Sequence, residues 1–160
     1  GISARFDIFK EACAGATPHP EEWTRSISSR CGAEPDGVVQ AVDRLLGAEK
    51  PVIVVGQGVR YGGASELLVS LAERLQIPVA SSASGLGAMP VEHPLSVGLV
   101  QRGGTYQANH SCRQADVLLA LGVRFDDRTS SSWLPGYSFT IPPTRLIHVD
   151  IDPEEIGRNY

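Results

Sequence analysis

The feature that most constrains the fold of this chain is an uninterrupted apolar run at residues 117–121, which reads Val-Leu-Leu-Ala-Leu. A strand that faced water on one side would alternate apolar and polar residues, so this run indicates a strand that is covered on both faces. A second run of the same kind, Pro-Val-Ile-Val-Val, occupies residues 51–55. Strands of this type are typical of a parallel sheet that lies between two layers of helices.

Helical and extended patterns alternate around these two runs. Apolar residues at helical spacing predict a helix from Pro35 and another after Gly62-Gly63. The apolar residues of the first of these helices lie on one stripe, formed by Val38, Val39, Val42, Leu45 and Leu46. Further strands are predicted over residues 77–81, 95–99 and 144–150, and a further helix over residues 105–114. This alternation predicts right-handed βαβ units and therefore an α/β fold.

The two ends of the chain carry weaker signals. Residues 1–34 predict a linker with short helices, and residues 35–160 predict one domain. The stretch 129–143 has the composition of a loop, from which Trp133 and Tyr137 are expected to pack back on the body. Asp152-Pro153 predicts the start of a final helix, with Asp152 as its cap. The first residue is glycine rather than methionine, so we expect a piece of a longer protein.

Composition excludes several classes of protein. With 42% hydrophobic and 20% charged residues, and no apolar run near the roughly 20 residues that cross a bilayer, the chain is predicted to be neither disordered nor a membrane protein. The net charge of −4 argues against a nucleic-acid partner, which requires a basic face. The three cysteines form no C-x-x-C and the four histidines have no metal-ligand spacing. We therefore expect free thiols, a cytoplasmic protein and no metal ligands.

Charged residues crowd the end of the run at 117–121. Gly122 ends the run, and Arg124, Asp126, Asp127 and Arg128 follow within six residues. Ligands of open α/β sheets bind outside the carboxyl ends of the strands, where two arginines are able to hold a phosphate or carboxylate. Solvated ion pairs on a surface turn, worth about 0–1 kcal/mol each, account for the same spacing equally well. Both interpretations stay open on the spacing alone.

A glycine turn, Gly56-Gln57-Gly58, follows the run at 51–55. Glycines between a strand and a helix allow a backbone to approach a pyrophosphate, although a glycine turn without a ligand fits as well. The full G-x-G-x-x-G pattern fails because position 61 is tyrosine, and the next strand ends in serines rather than in an acidic ribose ligand. An NAD-dependent dehydrogenase or a free-standing nucleotide module is therefore disfavoured. The chain also contains no G-x-x-x-x-G-K-[ST], G-x-S-x-G or H-E-x-x-H, so no catalytic residue is assigned.

Five segments together resemble the central domain of thiamine-diphosphate-dependent enzymes, and in particular the acetolactate synthase large-subunit group. They read KPVIVVGQGV (50–59), IPVASSASGLGAMPVEHPLSVG (77–98), GTYQAN (104–109), ADVLLALGVRFDDR (115–128) and LIHVDIDPEEIGRN (146–159). The resemblance covers residues 35–160. It implies a three-layer Rossmann-like (DHS-like) α/β domain, with a parallel sheet of about five to six strands and helices on both faces.

The resemblance also implies a function for the full-length protein. In that family, pyrimidine-binding and diphosphate-binding domains of the same chain hold thiamine diphosphate and Mg²⁺ between the subunits of a homo-oligomer, and the enzyme decarboxylates and ligates 2-oxo acids. The central domain holds FAD in acetolactate synthases, ADP in oxalyl-CoA decarboxylase-like lyases, and no nucleotide in other relatives. This chain lacks the diphosphate and magnesium motif, so the resemblance implies either a nucleotide groove without catalysis or a purely structural spacer.

The resemblance places the contacts to FAD or ADP at the ends of four predicted strands. They fall on Gly56, Gln57, Gly58, Ser82, Ala83, Gly122, Val123, Arg124, Asp126, Arg128, Asp150 and Ile151. One departure from the family pattern lies at residues 101–104, where this chain has Gln-Arg-Gly-Gly in place of the G-M-H-G of acetolactate synthases.

Overall fold

A computed structural model describes residues 32–160, so the predicted linker over residues 1–34, with its short helices, lies almost wholly outside the described residues. The helices are α1 (Pro35–Leu46), α2 (Gln57–Tyr61), α3 (Ser65–Leu75), α4 (Tyr106–Gln114) and α5 (Asp127–Ser130), with a 3-10 helix at Ala83–Gly85. The strands are β1 (Pro51–Val55), β2 (Val79–Ser81), β3 (Ser96–Leu99), β4 (Val117–Leu121) and β5 (Arg145–Val149). Within residues 32–160, no helix combines the length and apolar character needed to cross a membrane.

The five strands form one sheet in the order β3-β2-β1-β4-β5, and every neighbouring pair is parallel. β1 and β4 lie at its centre and pair along their full lengths, from Pro51 opposite Val117 to Val55 opposite Leu121. The predicted α/β class and parallel sheet are therefore confirmed. The two unalternating runs are the central strands because only a central strand has both faces covered.

Two hydrophobic clusters, one on each face of the sheet, form the core. Ile53 and Val55 belong to the cluster that includes residues of α3, whereas Val52 and Val54 belong to the cluster that includes residues of α4. Successive side chains of a strand point to opposite faces, so a strand that feeds both clusters must be apolar at every position. Full burial of each of these side chains contributes about 1.5–3 kcal/mol relative to an exposed position.

Cys112 is a free cysteine buried on α4. Desolvation raises the pKa of its thiol to about 12, so the thiol remains protonated at neutral pH. Its environment is that of a small core hydrophobe.

The first helix begins as predicted at Pro35, but most of its apolar stripe does not face the core. Leu45 is buried, whereas Val38, Val39, Val42 and Leu46 are exposed. Periodicity reports that a helix has an apolar face, but it carries no information about what lies against that face. In the described part of the chain, only the last turn of α1 contributes a buried side chain.

The segment after β5 forms successive turns rather than the predicted helix. Asp150 Oδ1 accepts the backbone N–H of Asp152 at 3.0 Å, and Asp152 Oδ1 accepts that of Glu154 at 3.0 Å. Carboxylates that bind the backbone two residues ahead stabilise turns and compete with helix formation. The expected helix cap is therefore a turn-forming residue.

The two aromatic residues of the 129–143 stretch differ in their environments. Trp133 is anchored to the body, because its Nε1 donates to the carbonyl oxygen of Phe125 at 2.9 Å. Tyr137 is 55% exposed, so the prediction that it packs back on the body is wrong. Aromatic character alone does not tell which loop residue finds a partner.

Candidate functional site

The carboxyl ends of the strands meet at one edge of the sheet, where the glycine turn after β1 contacts the loop after β4. Gly56 N donates to Leu121 O at 3.0 Å, and Gly58 N donates to Gly122 O at 3.2 Å. A methyl group on Gly58 would lie 2.7 Å from the Cα of Gly122, and one on Gly122 would lie 2.6 Å from the Cα of Gly58. Close approach of two loops thus accounts for these glycines without a ligand. Their backbone N–H groups are already used within the protein.

Ser82 and Ala83 lie at the end of β2, on the same edge of the sheet. Ser82 is buried, and its Oγ accepts the backbone N–H of Gly85 at 3.2 Å, which caps the 3-10 helix. Gly85 in turn lies against the backbone of Val55, where a Cβ would clash with the carbonyl oxygen. Ser82 therefore shapes the loop, while Ala83 is exposed at its start.

A small cleft of about 250 Å³ opens beside the glycine turn and is lined by Gln57, Arg60, Tyr61 and Ser84. Of these residues, only Gln57 was predicted from the sequence as a contact. Arg60 Nη1 donates to Leu86 O at 3.3 Å, which ties α2 to the loop after β2. Arg60 and Tyr61 lie three and four residues after Gln57, so a helix that begins at Gln57 brings them to the same face. The glycine pattern gave no indication of this helix.

The post-β4 loop, defined here as residues 122–128, presents Arg124 between two buried neighbours. Val123 and Phe125 are buried and Arg124 is exposed. Val123 O accepts a hydrogen bond from His148 Nε2 at 3.0 Å, and the ring of Phe125 packs edge-on against those of His148 and Tyr160. Two anchored neighbours hold the backbone of Arg124 in place. His148 therefore supports the site, a role that its isolated position in the sequence did not reveal.

Asp126 and Arg128 have different environments from Arg124. Asp126 Oδ1 accepts the backbone N–H of Thr129 at 2.8 Å, which caps the N-terminus of α5. Arg128 is exposed on α5, whereas Arg124 forms its ion pair with Glu155. The structure therefore explains Asp126 as a helix cap, and the Arg124 ion pair does not involve the acidic residues of its own loop.

Glu155 is a buried residue of the site that the sequence did not suggest. Its Oε1 lies 2.8 Å from Arg158 Nη1 and 3.6 Å from Arg124 Nε, while its side chain is only 7% exposed. The local Glu-x-x-Arg spacing was a visible signal for the pair with Arg158. The pair with Arg124 depends on the tertiary packing of the segment after β5 against the post-β4 loop.

The last two predicted contacts follow β5, the neighbour of β4. Asp150 is half-buried and its Oδ1 is occupied by the backbone of Asp152, whereas Ile151 is exposed. Because β5 runs parallel to β4, both residues lie on the same edge of the sheet as the post-β4 loop. The predicted residues therefore share one edge of the sheet. The side chains of several of them accept hydrogen bonds from backbone N–H groups of their own loops.

A larger open cleft, of about 690 Å³, lies at the opposite edge, where the strands begin. Asp116 lines it, and its Oδ2 and Oδ1 accept the backbone N–H groups of Glu49 at 2.7 Å and Lys50 at 2.9 Å. Desolvation by itself raises the pKa of Asp116, but backbone hydrogen bonds from Glu49, Lys50, Asp116 and Val117 outweigh it and hold the pKa below its usual value. Asp116 thus fastens the α1–β1 turn to β4.

The described part of the chain does not meet the requirements of a metal site. Residues 32–160 contain no group of three or more His, Cys, Asp or Glu side chains that is arranged to hold a metal ion.

The parallel sheet and the charged residues at its carboxyl edge define an α/β domain of the open-sheet class, and comparison with known proteins gives its family. The family model "Thiamine pyrophosphate enzyme, central domain" matches residues 38–160. The chain therefore belongs to this family.

Curated relatives of this chain include acetolactate synthase large subunits. The chain is 42% identical over 122 residues to a probable large subunit from Methanocaldococcus jannaschii, covering 76% of this chain and 20% of that protein. It is 36% identical over 157 residues to the isozyme 3 large subunit from Escherichia coli, covering 95% of this chain and 27% of that protein. The chain thus spans about a quarter of the length of these relatives.

A solved structure supports the fold. The X-ray structure of a putative thiamin diphosphate-dependent enzyme from Mycobacterium smegmatis superposes with a TM-score of 0.67 at 24% identity. The match covers 84% of this chain and 25% of that one. At this identity the likeness speaks for the architecture alone.

Proposed function

We propose that this chain is the central domain of a thiamine-diphosphate-dependent enzyme of the acetolactate synthase type, and that its groove binds the diphosphate of FAD or ADP. In the full-length homo-oligomer, the pyrimidine-binding and diphosphate-binding domains hold thiamine diphosphate and Mg²⁺, which supply the chemistry of 2-oxo acid decarboxylation and ligation. The domain described here contributes no catalytic residue. The 36–42% identity to acetolactate synthase large subunits supports the enzyme class.

One observation carries the nucleotide part of the proposal: Arg124 is exposed at the carboxyl end of the central strand β4 and is held by anchored neighbours. Guanidinium groups bind phosphate through paired N–H donors, and this edge of a parallel sheet is where ligands of open α/β folds bind. Ile151, which is 58% exposed on the same edge, offers an apolar surface to an adenine ring. These side chains fit an adenine nucleotide.

The glycine turn contributes shape rather than donors. The N–H of Gly56 donates to the last residue of β4 and that of Gly58 donates to Gly122, and α2 is a single short helix of five residues. Phosphate binding by the backbone of this turn is therefore not part of the proposal. We propose that Gly56, Gln57, Gly58, Ser82 and Ala83 line the groove, together with Gly122, Val123, Asp126, Arg128 and Asp150.

Calorimetric titration of the 160-residue chain with ADP and with FAD tests the nucleotide proposal. We expect dissociation constants between micromolar and millimolar, equivalent to about −8 to −4 kcal/mol. Arg124→Ala should weaken binding about tenfold, because one charge-assisted contact is lost. Arg145→Ala is the matched control, since it removes the same charge at the opposite end of the sheet.

A structural spacer without a ligand is the second candidate, and it is favoured by the glycines that loop packing alone explains. A structural spacer should give no heat of binding in the calorimetric titration with either nucleotide at millimolar concentration. Binding that is unchanged in Arg124→Ala would remove Arg124 from the site. Pyruvate consumption by the chain with thiamine diphosphate and Mg²⁺, above that of a protein-free control, would contradict the proposal that catalysis resides in the other domains.

A further inference from the structure

Two arginines share one buried carboxylate at the edge of the groove. Glu155 Oε1 lies 2.8 Å from Arg158 Nη1 and 3.6 Å from Arg124 Nε, and the Glu155 side chain is 7% exposed. A buried carboxylate is costly unless it is paired, so Glu155 requires these guanidinium groups nearby. One carboxylate between two guanidinium groups leaves one positive charge uncompensated.

Both guanidinium groups remain accessible to a ligand. The side chains of Arg124 and Arg158 are 62% and 63% exposed, and within residues 32–160 neither forms an ion pair with any carboxylate other than Glu155. Each guanidinium carries five N–H donors. Arg124 approaches Glu155 through Nε, at 3.6 Å from Oε1.

The segment that carries Arg158 is fastened to the loop that carries Arg124. Asn159 Nδ2 donates to Phe125 O at 2.9 Å, and the rings of Tyr160 and Phe125 pack edge-on at 5.2 Å. The backbone beside each arginine is therefore held, on both sides of Arg124 and after Arg158. Preorganisation of this kind lowers the entropic cost of binding.

We propose that Arg124 and Arg158, held together by Glu155, form the anion-binding pair that grips the diphosphate of the nucleotide. Arg158 takes the place that the sequence suggested for Arg128, which lies on α5. Glu155 is a positioning residue that does not touch the ligand. This inference rests on the proposed function, because it names the groups that hold the nucleotide in the same groove.

Titration of the 160-residue chain with ADP, pyrophosphate and adenosine tests the pair. Arg158→Ala should weaken the binding of ADP and pyrophosphate about tenfold and leave the binding of adenosine unchanged, because only the anionic ligands contact the arginine. Arg145→Ala, the matched control at the opposite end of the sheet, should change ADP binding less than about twofold. Arg158→Lys should fall between wild type and Arg158→Ala, since lysine keeps the charge but loses the planar fork.

Glu155→Gln distinguishes two effects of Glu155, namely its positioning of the two arginines and the repulsion of an anionic ligand by its negative charge. If Glu155 acted only through its negative charge, its removal would strengthen anion binding. We expect binding to weaken several-fold instead, whereas Glu154→Gln at the neighbouring exposed position should strengthen it slightly or leave it unchanged. Tighter binding of ADP to Glu155→Gln would overturn the positioning role.

The outcomes distinguish this inference from the proposal on which it rests. Wild-type chain that binds neither ADP nor FAD contradicts the proposed function itself. The arginine pair alone is overturned if the wild-type chain binds ADP and Arg158→Ala binds it equally well. It is also overturned if Arg145→Ala weakens ADP binding more than Arg158→Ala does. Thermal unfolding of each variant, compared with wild type, establishes that the variants fold.

Discussion

The two edges of the sheet use charge in opposite ways. At the amino edge, where the strands begin, the carboxylate of Asp116 accepts hydrogen bonds from backbone N–H groups. The cleft there is lined by three acidic and three basic side chains, namely Asp43, Glu49, Asp116, Arg44, Lys50 and Arg145. At the carboxyl edge, backbone groups of the glycine turn bind the post-β4 loop, and two arginines share one buried carboxylate.

This difference shows why cleft size is a poor guide to the site in this domain. The larger cleft lies at the amino edge, where balanced charges favour neither anions nor cations. The carboxyl edge has the smaller cleft but an excess of guanidinium donors around one carboxylate. An anionic ligand is recognised by the hydrogen-bond donors around it, so the carboxyl edge is the better candidate.

Gly122→Ala tests the tight approach of loops at the carboxyl edge and carries the largest expected effect. Gly122 has φ of +55°, and a methyl group there would lie 2.6 Å from the Cα of Gly58. Left-handed strain and overpacking together should lower the free energy of unfolding by about 3 kcal/mol or more. Chemical denaturation of wild type and variant measures the difference.

Gly103→Ala is the control for this prediction, because no atom lies within 4 Å of a methyl group at that position. We expect its free energy of unfolding to stay within about 0.5 kcal/mol of wild type. Equal stability of Gly122→Ala and Gly103→Ala would mean that the two loops do not need their close approach.

Asp116→Ala tests the amino edge and should lower the free energy of unfolding by about 1–2 kcal/mol, because two backbone N–H groups lose a charged acceptor. Since its pKa is lowered in the folded chain, Asp116 contributes stability above its unfolded pKa of about 4. That contribution is lost as the pH falls through the lowered folded pKa. The stability difference between wild type and variant should therefore shrink below about pH 4.

Denaturation curves at a series of pH values, with Asp43→Ala as the control, check this prediction. Asp43 lines the same cleft but is exposed. A wild-type advantage over Asp116→Ala that grew as the solution became more acidic would have the wrong sign and would contradict the role of Asp116.

Asp126→Ala has the smallest expected effect. It tests whether Asp126 caps α5 or contacts the nucleotide. Loss of its hydrogen bond to Thr129 N should cost about 1 kcal/mol of stability, while Asp126→Asn should cost less, because asparagine caps helices as well as aspartate. Denaturation measures both variants. A direct ligand role would instead appear as weakened ADP binding in Asp126→Asn, with stability preserved.

The local elements of the fold followed from local sequence. The unalternating runs at 51–55 and 117–121 became β1 and β4, and α1 begins at the predicted Pro35. Such elements depend on periodicity and on residues at the chain positions next to them. The predicted edge of the sheet followed as well, because strands that all run parallel must end on the same side.

The roles of the site residues depended on contacts between remote parts of the chain. Gly58 is glycine because Gly122 lies against it, and Arg124 meets Glu155 only because the segment after β5 packs on the post-β4 loop. The sequence by itself determined the parallel α/β class, the central strands and the edge that carries the charged residues. The tertiary structure decided which glycines allow close packing, which carboxylates bind backbone N–H groups and which arginines share the buried carboxylate. Those choices depend on distances across the sheet, and residue spacing along the chain does not encode such distances.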